Sequence, residues 1–265
     1  MHISNNIVRK KTMLKEERWL EIARLLAENK VVRVADMSVR FQVTAATIRR
    51  DLQKLTQEGR LKRTYGGATA LGSEHVRNFQ EAEASPLLEA KRRIGRAAAA
   101  LVQGGDTISL QAGSTTLQVA CSLKGQRGIT ILTNDLDIAW ELAQSSGITV
   151  NLTGGILREG SRILVGPLAE QTIAQVHVDK AILGVSAISL QEGLTNVDLL
   201  DAQIKKAMIQ AADEVIVVAD HTKFGKVHFA RVAPLSAIQK LVTNDGIVPE
   251  DLAALRAMGI EVIVC

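Results

Sequence analysis

Seven short apolar runs, many of them separated by stretches of helical period, fill the C-terminal two thirds of the chain and leave few folds open to it. They are Thr107–Leu110, Ile129–Leu132, Thr149–Leu152, Lys180–Leu183, Val215–Ala219, Lys240–Val242 and Glu261–Val264. Strands that alternate with helices predict an α/β domain built on a mostly parallel sheet with both faces covered. An alanine-rich helix over Leu87–Val102, stopped by the Gly104–Gly105 pair, leads into it, so the domain is placed at 87–265. With 46% apolar residues in a chain of 265, a domain of this size can bury a proper core.

A parallel sheet gathers the carboxyl ends of its strands on one side, and ligands bind there. The polar and glycine residues of this chain collect at those ends. After the first run comes Gly113-Ser-Thr-Thr116, a glycine turn followed by hydroxyls that enter a helix. Backbone amides at such a helix start favour an anion, and Ser114, Thr115 and Thr116 add donors, so the segment reads as a phosphate cradle or as a plain hydroxyl cap. Asn134 follows the second run, Thr153-Gly154-Gly155 the third, and Asp220-His-Thr-Lys223 the fifth. Singly, Asn134 caps the helix starting at Asp135 and Lys223 is a solvated loop lysine. Together they supply hydroxyls, an amide, a carboxylate and an ammonium suited to a small phosphorylated polyol.

The N-terminal part has a different character. Lys15–Asn29 reads as a helix burying Leu20, Ile22, Ala23, Leu25 and Leu26, followed by a Val31–Val34 run and a brief helix over Ala35–Phe41. Three residues, Gln42-Val43-Thr44, then connect to a third helix that ends at Gly59, the spacing of a helix-turn-helix. Thr44 is placed to cap that helix. Ile48, Leu52 and Leu55 form its apolar stripe, while Ala46, Thr47, Arg50, Gln53 and Lys54 point away and Arg49 lies on the flank. Small residues early and cations later suit entry into a DNA groove, with Arg50 reaching guanine or phosphate and Arg49 a phosphate. The run 60–67 then reads as a basic β-hairpin wing in which Lys62, Arg63 and Tyr65 meet the sugar-phosphate backbone.

Charge divides along the same line. Residues 1–73 hold fifteen Lys or Arg against seven Asp or Glu, a net +8, whereas 74–265 hold seventeen against twenty-one, a net −4. A basic front attached to a mildly acidic domain fits a chain whose first part binds a polyanion. The DNA-binding domain is placed at 13–71 and a polar linker at 72–86. Residues 1–12 read as a flexible basic arm, or as an extension ahead of an initiator at Met13. Two cysteines, Cys121 and Cys265, without a secretion signal or membrane span, indicate reduced thiols and a cytoplasmic chain. His2, His75, His177, His221 and His228 have no ligand spacing, so neither metal nor cofactor is expected.

The run Thr47-Ile-Arg-Arg-Asp-Leu52, followed by Gly59-Arg-Leu-Lys-Arg-Thr-Tyr-Gly-Gly67, resembles the winged helix-turn-helix signature of the DeoR family of bacterial regulators. Ala112–Thr116, Thr133-Asn134, Thr153–Arg158, Leu164–Glu170, Asp179–Gly184 and Ala219–Gly225 resemble that family's effector domain, so the likeness runs from about Lys15 to the C-terminus. It implies a sensor domain related in fold to ribose-phosphate isomerases and CoA transferases. It further implies a homo-oligomeric repressor of a carbohydrate-use operon that responds to a phosphorylated sugar. Two positions depart from the pattern. Gln111 stands where many relatives carry aspartate, and Asp201 where glutamate is frequent, which reshapes the expected ligand contact of each. The rival reading is a sugar-phosphate isomerase or transferase using Asp220, Asp201 or Lys223 for acid-base work. A fused DNA-binding domain serves no such catalysis, and fold kinship alone does not transfer activity. RNA binding is disfavoured because aromatics make up only 3% of the chain.

Overall fold

The computed structural model describes residues 15–29, 31–57, 61–64, 66–70 and 87–265. The arm at 1–12, the linker at 72–86, Gly59 and Tyr65 lie outside the described residues. Two compact units divide the chain between Val76 and Arg77.

In the first unit the elements are α1 (Lys15–Asn29), β1 (Val31–Arg33), α2 (Val34–Phe41), α3 (Ala45–Gln57), β2 (Leu61–Thr64) and β3 (Gly67–Ala70). The three strands form an antiparallel sheet in the order β1-β3-β2. Thus the valine run after α1 becomes the third strand of the wing. Gly66 turns the hairpin with a φ of 86°, a left-handed conformation that a residue with a Cβ seldom adopts. Ile22, Leu25, Leu26, Met37, Phe41, Ile48, Leu52 and Leu55 are buried together in one core.

Two of the expected α1 core residues are not in it, since both Leu20 and Ala23 are exposed. Their place is taken by polar residues with a specific partner. Arg18 is buried and its Nε donates to Asp51 Oδ2 at 2.6 Å, while Trp19 Nε1 donates to Asp51 Oδ1 at 2.9 Å. The α1 stripe is therefore turned so that Arg18 and Trp19 meet the carboxylate of α3. This pairing satisfies both oxygens of a buried anion and fixes α3 against α1.

The second unit begins with α4 (Leu88–Ala99) and continues through β4 (Thr107–Leu110), α5 (Ser114–Leu123), β5 (Ile129–Thr133), α6 (Leu136–Ala143) and β6 (Ile148–Leu152). A small hairpin, β7 (Ile156–Leu157) and β8 (Leu164–Val165), and α7 (Pro167–Ala174) come next. Then follow β9 (Val178–Gly184), β10 (Ala187–Ser189), β11 (Gly193–Asn196), α8 (Leu199–Gln210), β12 (Ala212–Val218), β13 (Ala230–Ala233), β14 (Lys240–Thr243), α9 (Pro249–Ala257) and β15 (Glu261–Val264).

All seven apolar runs of the sequence are strands of one sheet, in the order β15-β14-β12-β9-β4-β5-β6. Every pairing in it is parallel. Alternate residues face opposite sides of the sheet and feed the cores there. Ile108, Ile131, Ile182, Ile216 and Val242 pack with α4 and α5, whereas Leu132, Leu183 and Val215 pack with Ile173 of α7 and Ile204 and Met208 of α8. At Gly95 the α4 and α5 backbones come so close that an added Cβ would stand 2.6 Å from the Gln118 carbonyl. A second sheet, antiparallel in the order β10-β11-β13, is absent from the sequence reading. Its strands are three or four residues long, and one begins at Gly193, too short for a period to register.

The strand order reverses next to β4. From β4 the chain moves outward through β5 and β6, then crosses to β9 on the other side and moves outward again through β12, β14 and β15. Adjacent crossovers on opposite sides leave a crevice beyond the carboxyl ends of β4 and β9.

Asp51→Ala should remove about 3–5 kcal/mol of stability from the first unit, because it strips a buried cation of its anion. Asp51→Asn, which keeps an acceptor for Trp19 but not the charge, should lose nearly as much. Urea unfolding followed by Trp19 fluorescence measures both, and a much smaller loss in the asparagine variant would contradict the role of the charge.

Candidate nucleic-acid interface and effector crevice

The turn into α3 is set by one left-handed residue and two local bonds. Gln42 ends α2 in the left-handed region at φ 53° and ψ 42°. Ser38 Oγ donates to the Val43 carbonyl at 2.6 Å, and Thr44 Oγ1 accepts from the Thr47 amide at 3.2 Å. Thr44 is thus the N-cap that its position predicted. Thr47 is half-buried and its hydroxyl lies 3.0 Å from that of Thr44, so it is partly spent on the cap. Ala46, Arg49, Arg50, Gln53 and Lys54 are all exposed on the face opposite Ile48, Leu52 and Leu55. On the wing, β2 carries Lys62 and Arg63, and Arg63 is exposed. Asp51 is the residue that sequence reasoning missed here. It lies inside the quoted signature, yet its partners are 32 and 33 residues away, beyond any local pattern.

In the second unit, the parallel sheet places the turns after β4, β5, β6, β9 and β12 along one edge. The residues named from sequence divide into two kinds. Ser114, Gly113, Gly154, Gly155 and Lys223 are half-buried. Gln111, Thr115, Thr116, Asn134, Thr153, Asp201 and Asp220 are buried and form the frame behind them.

Hydrogen bonds occupy most of the frame. Gln111 donates from Nε2 to Asp201 Oδ1 at 3.1 Å and accepts from the Gly184 amide at 3.3 Å, so it ties β4 to β9 and to α8 across the crevice floor. Asn134 accepts from the Ala112 amide at 2.9 Å and donates to the Leu164 carbonyl at 3.1 Å. Thr116 Oγ1 donates to the Gly113 carbonyl, and Thr153 Oγ1 to the Gly154 carbonyl. The helix after β5 starts at Leu136 and is capped by Asp135, whose carboxylate accepts from the Asp137 and Ile138 amides; Asn134 is not its cap. Asp220 Oδ1 accepts from the amide and the hydroxyl of Thr222, while its Oδ2 is buried without a hydrogen-bond partner.

Three cations join the site that sequence reasoning did not single out. Lys205 Nζ donates to Asp201 Oδ2 at 2.6 Å, and Asn196 Nδ2 donates to the same oxygen at 2.6 Å. Arg158 NH1 stands 3.7 Å from Asp198 Oδ1. Lys91 Nζ of α4 donates to Ser114 Oγ at 3.1 Å, at the amide end of α5. The Asp201-to-Lys205 spacing of four was a readable signal on a helix. Lys91 had none, since it precedes Ser114 by 23 residues. The amide end of α5, a serine hydroxyl and an ammonium suit a phosphate, and the polar groups around them suit hydroxyls.

Two carboxyls of this edge are electrostatically displaced in opposite directions. Burial pushes the Asp201 carboxyl up, but the Lys205 ammonium, Asn196 and Arg158 outweigh it and hold the group below the usual carboxylate range. Burial dominates at Asp135, which is pushed up to about 6 despite the amides of Asp137, Ile138 and Gly113.

Comparison with known proteins assigns each unit to a domain family. Residues 18–74 match the DeoR-like helix-turn-helix domain, and residues 87–245 match the DeoR C terminal sensor domain. The chain is 35% identical over 251 residues to the uncharacterized HTH-type transcriptional regulator YulB of Bacillus subtilis, covering 94% of this chain and 96% of that one. It is 36% identical over 232 residues to the transcriptional repressor AccR of Agrobacterium fabrum, covering 87% and 90%. Among solved structures, ribose 5-phosphate isomerase A of Methanocaldococcus jannaschii superposes over 52% of this chain and 55% of its own, at 17% identity and a TM-score of 0.40.

The displaced Asp135 sets a pH dependence. Between about pH 4 and 6 the folded carboxyl holds a proton that the unfolded chain has released, so stability falls as pH rises through that window, by up to about 3 kcal/mol. Asp135→Asn keeps an acceptor for the helix cap and cannot ionise. Its stability relative to the parent should therefore rise from pH 4 to pH 7 in denaturant titrations, and a pH-independent difference would contradict the assignment.

Proposed function

Because the chain belongs to the DeoR family of transcriptional regulators, we propose that it represses a carbohydrate-use operon as a homo-oligomer in the cytoplasm and loosens its grip on operator DNA when a phosphorylated sugar fills the crevice. The observation that carries this reading is the outward face of α3. Its small and cationic residues are exposed together, while the opposite stripe and Asp51 anchor the helix from behind. Docking in a major groove would put Ala46 against base edges, Arg50 on guanine or phosphate, and Arg49, Lys54, Lys62, Arg63 and Tyr65 along the backbone.

The sensor assignment is supported by the division of labour in the crevice. Ser114, with Lys91 and the α5 amides, would take the phosphate. Asp220, Lys223 and the Gly154–Gly155 turn would take hydroxyls, over a floor of Gln111, Thr115, Thr116, Asn134, Thr153 and Asp201. The Gln111 amide fills the place of the family's usual aspartate by bridging β4, β9 and Asp201, and so acts on ligand preference through the floor. Sensing is favoured over catalysis because the Asp201 carboxylate, one of the bases an isomerase would need, is held ionised and fully engaged by Lys205, Asn196 and Gln111. No described helix is long and apolar enough to cross a membrane.

Arg50→Ala should weaken operator binding by about 1–3 kcal/mol if the guanidinium makes a bidentate base contact, as read by fluorescence anisotropy on labelled operator. Unchanged affinity would remove α3 from the interface. A thermal-shift panel of phosphorylated sugars identifies the effector, since a ligand of the folded state raises the melting temperature. With that sugar, Ser114→Ala and Lys223→Ala should abolish release of DNA while ligand-free operator binding stays intact. Loss of both functions would indicate a folding role for the two residues, and turnover of the sugar would favour an enzyme.

A further inference from the structure

The sheet of the second unit ends in two edges that are treated differently. At one edge β15 carries Glu261, whose carboxylate is 3.8 Å from Lys240, so a charge guards the open side. At the other edge β6 reads Ile-Thr-Val-Asn-Leu, five residues with no charge and no proline, and among the described residues no strand pairs with its outer side. Strand edges left open in this way recruit another strand unless charge, proline or a bulge deters it.

The flank of that edge is apolar as well. Leu136, Ala139, Trp140 and Ala143 of α6, with Leu152 of β6 and Arg162, enclose an open depression of about 390 Å³. Trp140 is 72% exposed beside it and Leu152 is 44% exposed. From Leu152 the chain turns at Gly154–Gly155 into Ile156 and Leu157, both more than half exposed. Trp140, Leu152, Ile156 and Leu157 thus give this edge four large exposed apolar residues, and exposed apolar patches of that kind mark protein contact sites.

We propose that this face is where a second copy of the chain docks, β6 to β6 about a two-fold axis, so that the two seven-stranded sheets continue into one another. Three observations select a second copy over a different protein. A strand edge is complementary to its own antiparallel copy, which an isologous contact requires. Trp140 stands beside a depression, so a two-fold axis sets the projection of each copy against the hollow of the other. Finally, Arg162, the charged side chain that lines the depression, is neutralised by Asp137 at 2.7 Å, so identical depressions meet there without repulsion.

The inference deepens the reading of the chain as an assembled regulator by naming the surface that assembles it. Light scattering coupled to size exclusion on the full chain tests it. The parent should run as a dimer or a multiple of one, and Trp140→Glu or Leu152→Lys should halve its mass. Phe229→Glu, at an equally exposed apolar residue away from β6, should leave the mass unchanged. Parental mass in both β6-face variants, or a halved mass in the Phe229 variant alone, overturns the surface while leaving the assembly reading standing; a monomeric parent overturns both. Should the charged variants fail to fold, Asn151→Cys treated with a short bis-maleimide gives the answer. Covalent dimer above the parental background supports the contact, and its absence refutes it.

Discussion

The sensor unit depends on one constraint: its seven strands all run the same way. Parallel neighbours cannot be joined by tight turns, so each connection must cross a face, and the crossovers cover the sheet on both sides with helices. The same constraint puts every carboxyl end on one edge. Reversal of the strand order beside β4 then separates two crossovers and opens the crevice at that edge. Nothing about the ligand is needed to explain why the site is there. The floor is closed by Gln111, which links the ends of β4 and β9 to Asp201, and by Asn134, which pins the β4 turn to the residue before β8's second position.

In each unit a buried carboxylate orients an element. Asp51 holds α3 to α1 through Arg18 and Trp19, so the orientation of the exposed, cationic face of α3 is set by contacts on the far side of the helix. Asp201 holds the first turn of α8 to the crevice floor through Lys205, Asn196 and Gln111. A buried ion pair adds little net stability compared with an apolar replacement, but it tolerates only one geometry. That property suits a recognition helix and a binding floor, where a small rotation changes what the exposed side chains reach.

The two edges of the sheet show what the solvent-facing design leaves over. One is guarded by charge, the other is neutral, β-branched and continuous with an apolar face around Trp140. The difference is a property of a surface rather than of any single residue, and it becomes visible only when strand order is known.

Sequence by itself determined the elements and their class. Short apolar runs between helical stretches located all seven strands of the main sheet, because strands covered on both faces are apolar throughout, and the period-3.6 pattern located the three N-terminal helices. Local chemistry was equally legible: the Thr44 cap acts within three residues of itself. What tertiary structure alone decided was the state of each polar group. Gln111 and Asp201 lie 90 residues apart, Lys91 and Ser114 lie 23 apart, and whether such groups are spent on each other or left for a ligand depends on through-space partners. The exposure of Leu20 and Ala23 followed from the same cause, since an apolar stripe names a face but a buried carboxylate on another helix chose which face turned inward. The short antiparallel sheet escaped because three-residue strands carry no period of their own and are held by their neighbours.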